Sequence, residues 1–300
     1  MDFSWLTHFD SFVQQMINGI SIGSIYALAA LGYTMVYGII KLINFAHGDI
    51  LMVGAYVGYF CVAVFKMPLI LARVVAVAAC GVLGVLIEKV AYRPLRRAPR
   101  ITVLITAIGV SFLLEYVMVA LVGAESKAYP AGSFGGGNLM LGNIAVDIQR
   151  LYVVGITIIM MIVLQFIVKR TKIGKAMRAV SSDADAAQLM GISVDRTISF
   201  TFLLGSGLAA VAGVMMGAMF TINPLMGMQP GLKAFIAAVF GGIGSIPGAM
   251  IGGVLLGVIE TVVTASGASA YKDLAAFVIL ILVLLIRPCG ILGKNVREKV

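Results

Sequence analysis

Residues 101–122 read ITVLITAIGVSFLLEYVMVALV, 22 residues whose only charge is Glu115. A bilayer core about 30 Å thick is crossed by about 20 apolar residues in a helix. This stretch therefore predicts one clean membrane crossing. It is preceded by EKVAYRPLRRAPR at 88–100, strongly basic, and followed by a Gly-rich, nearly neutral stretch at 123–150. Basic loops stay in the cytoplasm. That places 88–100 inside and 123–150 outside.

The whole chain matches this reading. Its 300 residues are 61% hydrophobic and 12% charged, with a mean hydropathy of +1.06. Soluble domains carry about 25% charged residues. The composition excludes a cytosolic enzyme, a disordered chain and an ordinary secreted protein. The apolar stretches are continuous rather than alternating, which disfavours a β-barrel. The expected fold is an all-α polytopic membrane protein, one transmembrane domain over 1–300.

The net charge of +9 is concentrated in 89–100, 169–196 and 287–300. These are loops and a tail, as the positive-inside rule requires, and no nucleic-acid reader motif accompanies them. Cys61, Cys80 and Cys289 form neither a disulfide nor a metal framework. The start, MDFSWLTHFD, has no basic n-region and does not read as a cleavable signal.

Apolar segments run over 12–43, 50–65, 69–87, 101–122, 151–168, 197–220, 234–264 and 274–286. The first is interrupted at its end by Asn44-Phe45-Ala46-His47-Gly48-Asp49. The seventh is broken at Gly241-Gly242-Ile243-Gly244-Ser245-Ile246-Pro247-Gly248, and 221–232 reads as an external turn. With the three basic segments inside, the N-terminus falls outside. Two short helices meeting at 241–248 give nine passes, and one pass over 234–264 gives eight; the broken pair is favoured. Paired broken helices mark the pathway in many transporters. The two interruptions resemble such a pair in hydropathy and position, without a residue-level repeat.

The cytoplasmic stretch 169–196 carries six basic and three acidic residues. Within it SSDADAAQLMGIS, 181–193, reads as a short helix. Ser182 with Asp185 fits a capping box, and Gly191 suits the position after the helix end. Eight residues span about 12 Å, too short to cross a membrane. By pattern alone this is a surface helix or a docking element.

Asp185-Ala186-Ala187 followed by Gly191 resembles the E-A-A-x-x-x-G loop of ABC importer permeases, with Asp for Glu and no Leu-Pro further on. Asn44-Phe45-Ala46-His47-Gly48-Asp49, with Met52 and Gly54-Ala55-Tyr56, resembles the N-terminal signature of LivH-type permeases, subunits of the branched-chain amino-acid ABC importer. Lys233-Ala234-Phe235, Ala237-Ala238-Val239, Gly241-Gly242-Ile243-Gly244-Ser245 and Gly248-Ala249 through Gly257 to Glu260 resemble that family's C-terminal half. The likeness runs from about 15 to 290. It implies a multi-pass subunit of the bacterial inner membrane that binds no cofactor. It also implies a second related permease, two cytoplasmic ATPases hydrolysing ATP, and a periplasmic binding protein delivering leucine, isoleucine or valine. Asp185, Ala186, Ala187 and Gly191 would couple to the ATPases. Consistent with a non-enzymatic role, no G-x-x-x-x-G-K-[ST] loop occurs: Ala176 follows Gly174-Lys175 and Asn295 follows Gly293-Lys294.

Candidate pathway or gate residues are Asn44, His47, Asp49, Glu115, Gly241, Gly242 and Gly244. His47 and Asp49 read either as a solvated turn with Asp49 capping the next helix, or as a gate at a membrane break. Glu115 reads as a buried carboxylate facing the bundle interior, in a structural or a pathway role. Glu260 lies near a helix end, where interfacial solvation would satisfy it. The glycines allow close packing or local unwinding. The main rival function is an ion-gradient-driven secondary amino-acid transporter using Asp49, Glu115 or Glu260, which has no need of the 182–191 loop. A membrane-embedded enzyme would need a constellation that only His47 and Asp49 approach.

Overall fold

The computed structural model describes residues 9–96, 98–130, 137–141 and 144–293. The extreme N-terminus, Arg97, parts of the 123–150 loop and the tail from 294 lie outside the described residues. Helix α1 is Phe9–Ile40. Its 32 residues reach about 48 Å at 1.5 Å per residue, more than one straight crossing. It stops at Lys41, whose φ of +54° is left-handed in a non-glycine residue. Helix α2, His47–Tyr59, continues through a π-turn over Phe60–Val64. Helix α3, Leu69–Ile87, follows the extended Pro68 and likewise ends in a π-turn, Glu88–Tyr92. Helix α4, Arg100–Val122, closes at Gly123.

A small antiparallel hairpin, β1 Asn138–Leu141 and β2 Ile144–Asp147, occupies the outer loop. Asp147 caps α5, Ile148–Arg170, by accepting the Gln149 N–H at 2.9 Å. Then come α6, Lys172–Ser182, and α7, Ala184–Leu189. The long α8 is Val194–Met219, and α9 is Met228–Gly241. Helix α10 is Ile246–Ala265, and α11 is Lys272–Ile286 after a 3-10 turn.

Among the described residues eight helices are long and apolar enough to cross a membrane. Helix α9 is a ninth element of 14 residues, about 21 Å, shorter than a bilayer core. The expected break at 241–248 is present as a turn between two helices, the favoured broken pair. Gly241 packs against Gly248, and Gly252 against Ala237, so α9 and α10 form an antiparallel hairpin. The external turn expected over 221–232 is shorter, because helix already resumes at Met228.

Helices α1, α2, α8 and α10 hold the core. Helices α4, α5 and α11 turn large apolar side chains outward, among them Leu121, Phe166 and Leu285. Lipid tails are as apolar as these side chains, so helix association rests on close packing instead. The α1–α10 contact shows how. A Cβ on Gly19 would stand 2.8 Å from the Val258 Cα, and one on Gly23 would stand 2.7 Å from the Val254 Cα. Only glycine allows the two backbones to approach so nearly.

Two connections fold back into the bundle. After α1 ends at Ile40, residues 41–46 return so that His47 meets Ala29. Ala29 lies about 16 Å before the helix end by helical rise. After α8 ends at Met219, the chain pairs Ile222 with Lys127 and then turns inward until Gly227 packs on Gly48 and Asp49. Helices α2 and α9 therefore begin beside one another inside the protein.

Candidate functional site

The start of α2 is buried, contrary to a solvated turn: Asn44 and His47 are each 2% exposed and Asp49 1%. Helix α2 has no side-chain cap; Ala46 occupies that position and Asp49 lies in the first turn. Burial is offset by partners on other helices for His47, for Asn44 Oδ1 and for Asp49 Oδ2. His47 donates through Nε2 to the Ala29 carbonyl at 3.2 Å, and its ring packs tilted against Tyr33 with centroids 4.6 Å apart. Gly32 leaves the space that the imidazole fills. The Tyr92 hydroxyl donates to Asn44 Oδ1 at 2.9 Å, while Asn44 Nδ2 is buried without a partner among the described residues.

Glu115 of α4 is 5% exposed and lies within hydrogen-bonding reach of Asp49. Ser111, one turn earlier on α4, donates to Asp49 Oδ2. The isolated carboxylate of the 101–122 span thus faces the bundle and meets the break after α1. The structure brings Asp49 and Glu115 together, while Asn44 and His47, on the same break, bond to Tyr92 and to the Ala29 carbonyl.

Gly241, Gly242 and Gly244 lie elsewhere, at the far end of α9. Gly242 and Gly244 have φ of +106° and +93°, and the turn packs on Gly38 near the end of α1. Backbone bonds from Ile291 to Phe240 and from Leu292 to Gly241, both 3.0 Å, lay the C-terminal segment over it. These glycines build a tight turn and do not join the His47–Asp49 cluster.

Sequence reasoning missed a second polar cluster. Lys233 of α9 pairs with Glu260 of α10 at 2.8 Å and with Asp273 of α11 at 2.8 Å. Tyr26 of α1 donates to Glu260 Oε2 at 2.9 Å. Glu260 is 5% exposed, so an ion pair satisfies it rather than interfacial water. A signal existed: a lone lysine inside an apolar helix calls for a buried counter-charge.

On the basic side, α7 has six residues, not eight. Its cap is Asp183, which accepts the Ala186 N–H at 2.9 Å; Ser182 instead bonds back to the Arg178 carbonyl. The expected Ser182–Asp185 capping box is not formed, because Ser182 already ends α6. Gly191 does terminate the helix, with φ +82°. The Ile192 N–H reaches the Ala187 carbonyl and the Gly191 N–H reaches Gln188, both at 3.0 Å, which is the Schellman pattern. The turn leaves Leu189 and Met190 89% and 83% exposed, two apolar side chains at the tip of a polar loop.

Long apolar helices, re-entering connections and two charged clusters inside the bundle define a helical membrane permease. The family of branched-chain amino acid transport system permease components matches residues 15–284. The chain is 45% identical to the high-affinity branched-chain amino acid transport system permease protein LivH of Salmonella typhimurium, over 96% of this chain and 98% of that protein. It is 42% identical to the corresponding permease BraD of Pseudomonas aeruginosa, with the same coverage. The solved PsaBC from Streptococcus pneumoniae in complex with Fab shares the fold at TM-score 0.51 and 14% identity, covering 95% of each chain. The chain belongs to this permease family: it is a multi-pass inner-membrane subunit of a branched-chain amino-acid transport system.

Proposed function

We propose that the chain works as the translocation subunit of an ATP-binding-cassette importer for leucine, isoleucine and valine, without enzymatic activity of its own. A binding protein delivers the amino acid, a second related permease completes the passage, and two cytoplasmic ATPases drive the cycle. The observation that carries the coupling role is the turn at 189–191. Exposed apolar residues at a loop tip mark an interaction surface. Here Leu189 and Met190 project from a capped helix beside Asp185, Ala186 and Ala187. Asp183 and the Gly191 termination hold that tip in shape.

The passage is proposed to open at the start of α2, where Asn44, His47, Asp49 and Glu115 lie next to the start of α9. Movement of α9 relative to α2 would part Gly48 from Gly227. The glycines at 241, 242 and 244 serve the α9–α10 turn, so that the pair moves as one body. An ion-gradient transporter would use the same carboxylates but leaves the exposed turn without a purpose.

The test is purification of the tagged chain from its native membrane in mild detergent. Recovery of a second permease and of ATPases with a phosphate-binding loop is expected, and Leu189→Asp should release those ATPases. Recovery of the chain alone, active in ATP-free proteoliposomes under an ion gradient, would overturn the reading.

A further inference from the structure

Polar contacts at the start of α8, the π-turn 88–92 and the Tyr92 hydroxyl together join the end of the coupling turn to the break after α1. Asp195 lies in the first turn of α8, four residues past Gly191. It accepts from Arg93 and, at 2.5 Å, from Arg96. Arg96 also pairs with Glu88, which is fully buried and accepts the Ser199 hydroxyl at 2.6 Å. Glu88 begins the π-turn that ends at Tyr92. The Tyr92 ring packs 5.3 Å from Phe202 of α8, and its hydroxyl is the described partner of Asn44. The contacts on α8, Asp195, Ser199 and Phe202, are spaced four and three residues apart, so they lie on one helix face.

We propose that Tyr92 is a positioning residue that transmits movement of the coupling turn to the segment 41–46, and so to the start of α2. This rests on the importer reading. Three features favour transmission over plain stability. The π-turn is a local register shift of the kind that marks functional sites in helices. Lys41, at the start of the segment, holds a left-handed backbone that a lysine rarely adopts. Asn44 is half satisfied among the described residues: Oδ1 is held by Tyr92 while Nδ2 is buried without a partner. A buried donor without a partner is costly, so an arrangement of 41–46 that paired it would be favoured over the present one. Rotation of α8 at Asp195 would carry Glu88 and Tyr92 with it, because Arg96 bridges both carboxylates.

Spatial continuity alone does not establish coupling, so the readout is uptake per ATP hydrolysed. The complete importer, with its ATPases, partner permease and binding protein, is reconstituted in proteoliposomes and leucine uptake and ATP hydrolysis are measured together. Tyr92→Phe keeps the ring on Phe202 and removes only the hydroxyl. ATP hydrolysis should persist while leucine moved per ATP falls about tenfold. Ser199→Ala, which removes the α8 hydroxyl bound to Glu88, should lower the ratio in the same direction and serves if Tyr92→Phe fails to assemble. Unchanged ratios in the assembled variants would overturn the proposal. Absence of ATP-dependent uptake in the wild-type complex would instead overturn the importer reading.

Discussion

Gly48 of α2 and Gly231 of α9 meet backbone to backbone: a Cβ on Gly48 would stand 2.9 Å from the Gly231 Cα, and one on Gly231 would stand 2.8 Å from the Gly48 Cα. Neither side offers a flexible side chain that could give way. Gly48→Ala should therefore cost about 1–3 kcal/mol, the range for overpacking a filled interior. Uptake should fall further than stability, because the same contact separates when α2 and α9 part. Thermal unfolding in detergent, measured beside uptake, checks both.

The Lys233–Glu260 pair links α9 to α10 inside the bundle. Lys233→Met leaves Glu260 buried without its counter-charge, and removing one partner of a buried pair costs about 3–5 kcal/mol. The double variant Lys233→Met/Glu260→Gln should regain much of that loss, since the buried carboxylate is neutralised and only the part-exposed Asp273 keeps its charge. Melting temperatures of the wild type, both single variants and the double variant test this non-additivity. Strict additivity would show that the pair contributes little.

Gly191 has open space around its missing Cβ but a φ of +82°. An arginine there meets no clash and bears only the left-handed backbone cost, about 1–2 kcal/mol. Gly191→Arg should leave the chain folded and inserted while ATP-driven uptake is lost. Normal expression with unimpaired uptake would place ATPase docking elsewhere.

Tyr129 lies in the outer loop and donates its hydroxyl to the Ala55 carbonyl at 2.7 Å. Burial, reinforced by nearby Cys61 and opposed by Arg73, pushes its phenol well above the usual value. A raised folded-state value means the neutral phenol stabilises the fold fully below about pH 10, the unfolded value. That contribution is lost as pH rises toward the folded value. Tyr129→Phe should cost about 0.5–1.5 kcal/mol at neutral pH, and the gap from wild type should narrow above pH 10. Melting temperatures from pH 8 to 11 report it.

Much of this protein follows from sequence. The membrane class, the positions of most of the long helices and the break after α1 are properties of local hydropathy. Burial of Glu115 follows from the cost of a carboxylate facing lipid. The termination at Gly191 was legible because a glycine after a short helix is a local backbone requirement.

Tertiary structure alone decided the rest. Ser182 and Asp183 are both good caps, and the choice fell to Asp183 because α6 consumed Ser182 as its last residue. Glu260 looked interfacial until α9 folded back and brought Lys233 to it from 27 positions away. Asp49 met Glu115, and Tyr92 met Asn44, because residues 41–46 turn back into the bundle rather than leaving it. Hydropathy records how much apolar surface a segment carries. It does not record which neighbour satisfies a buried polar group, and that depends on the helices against which glycine-lined backbones can pack.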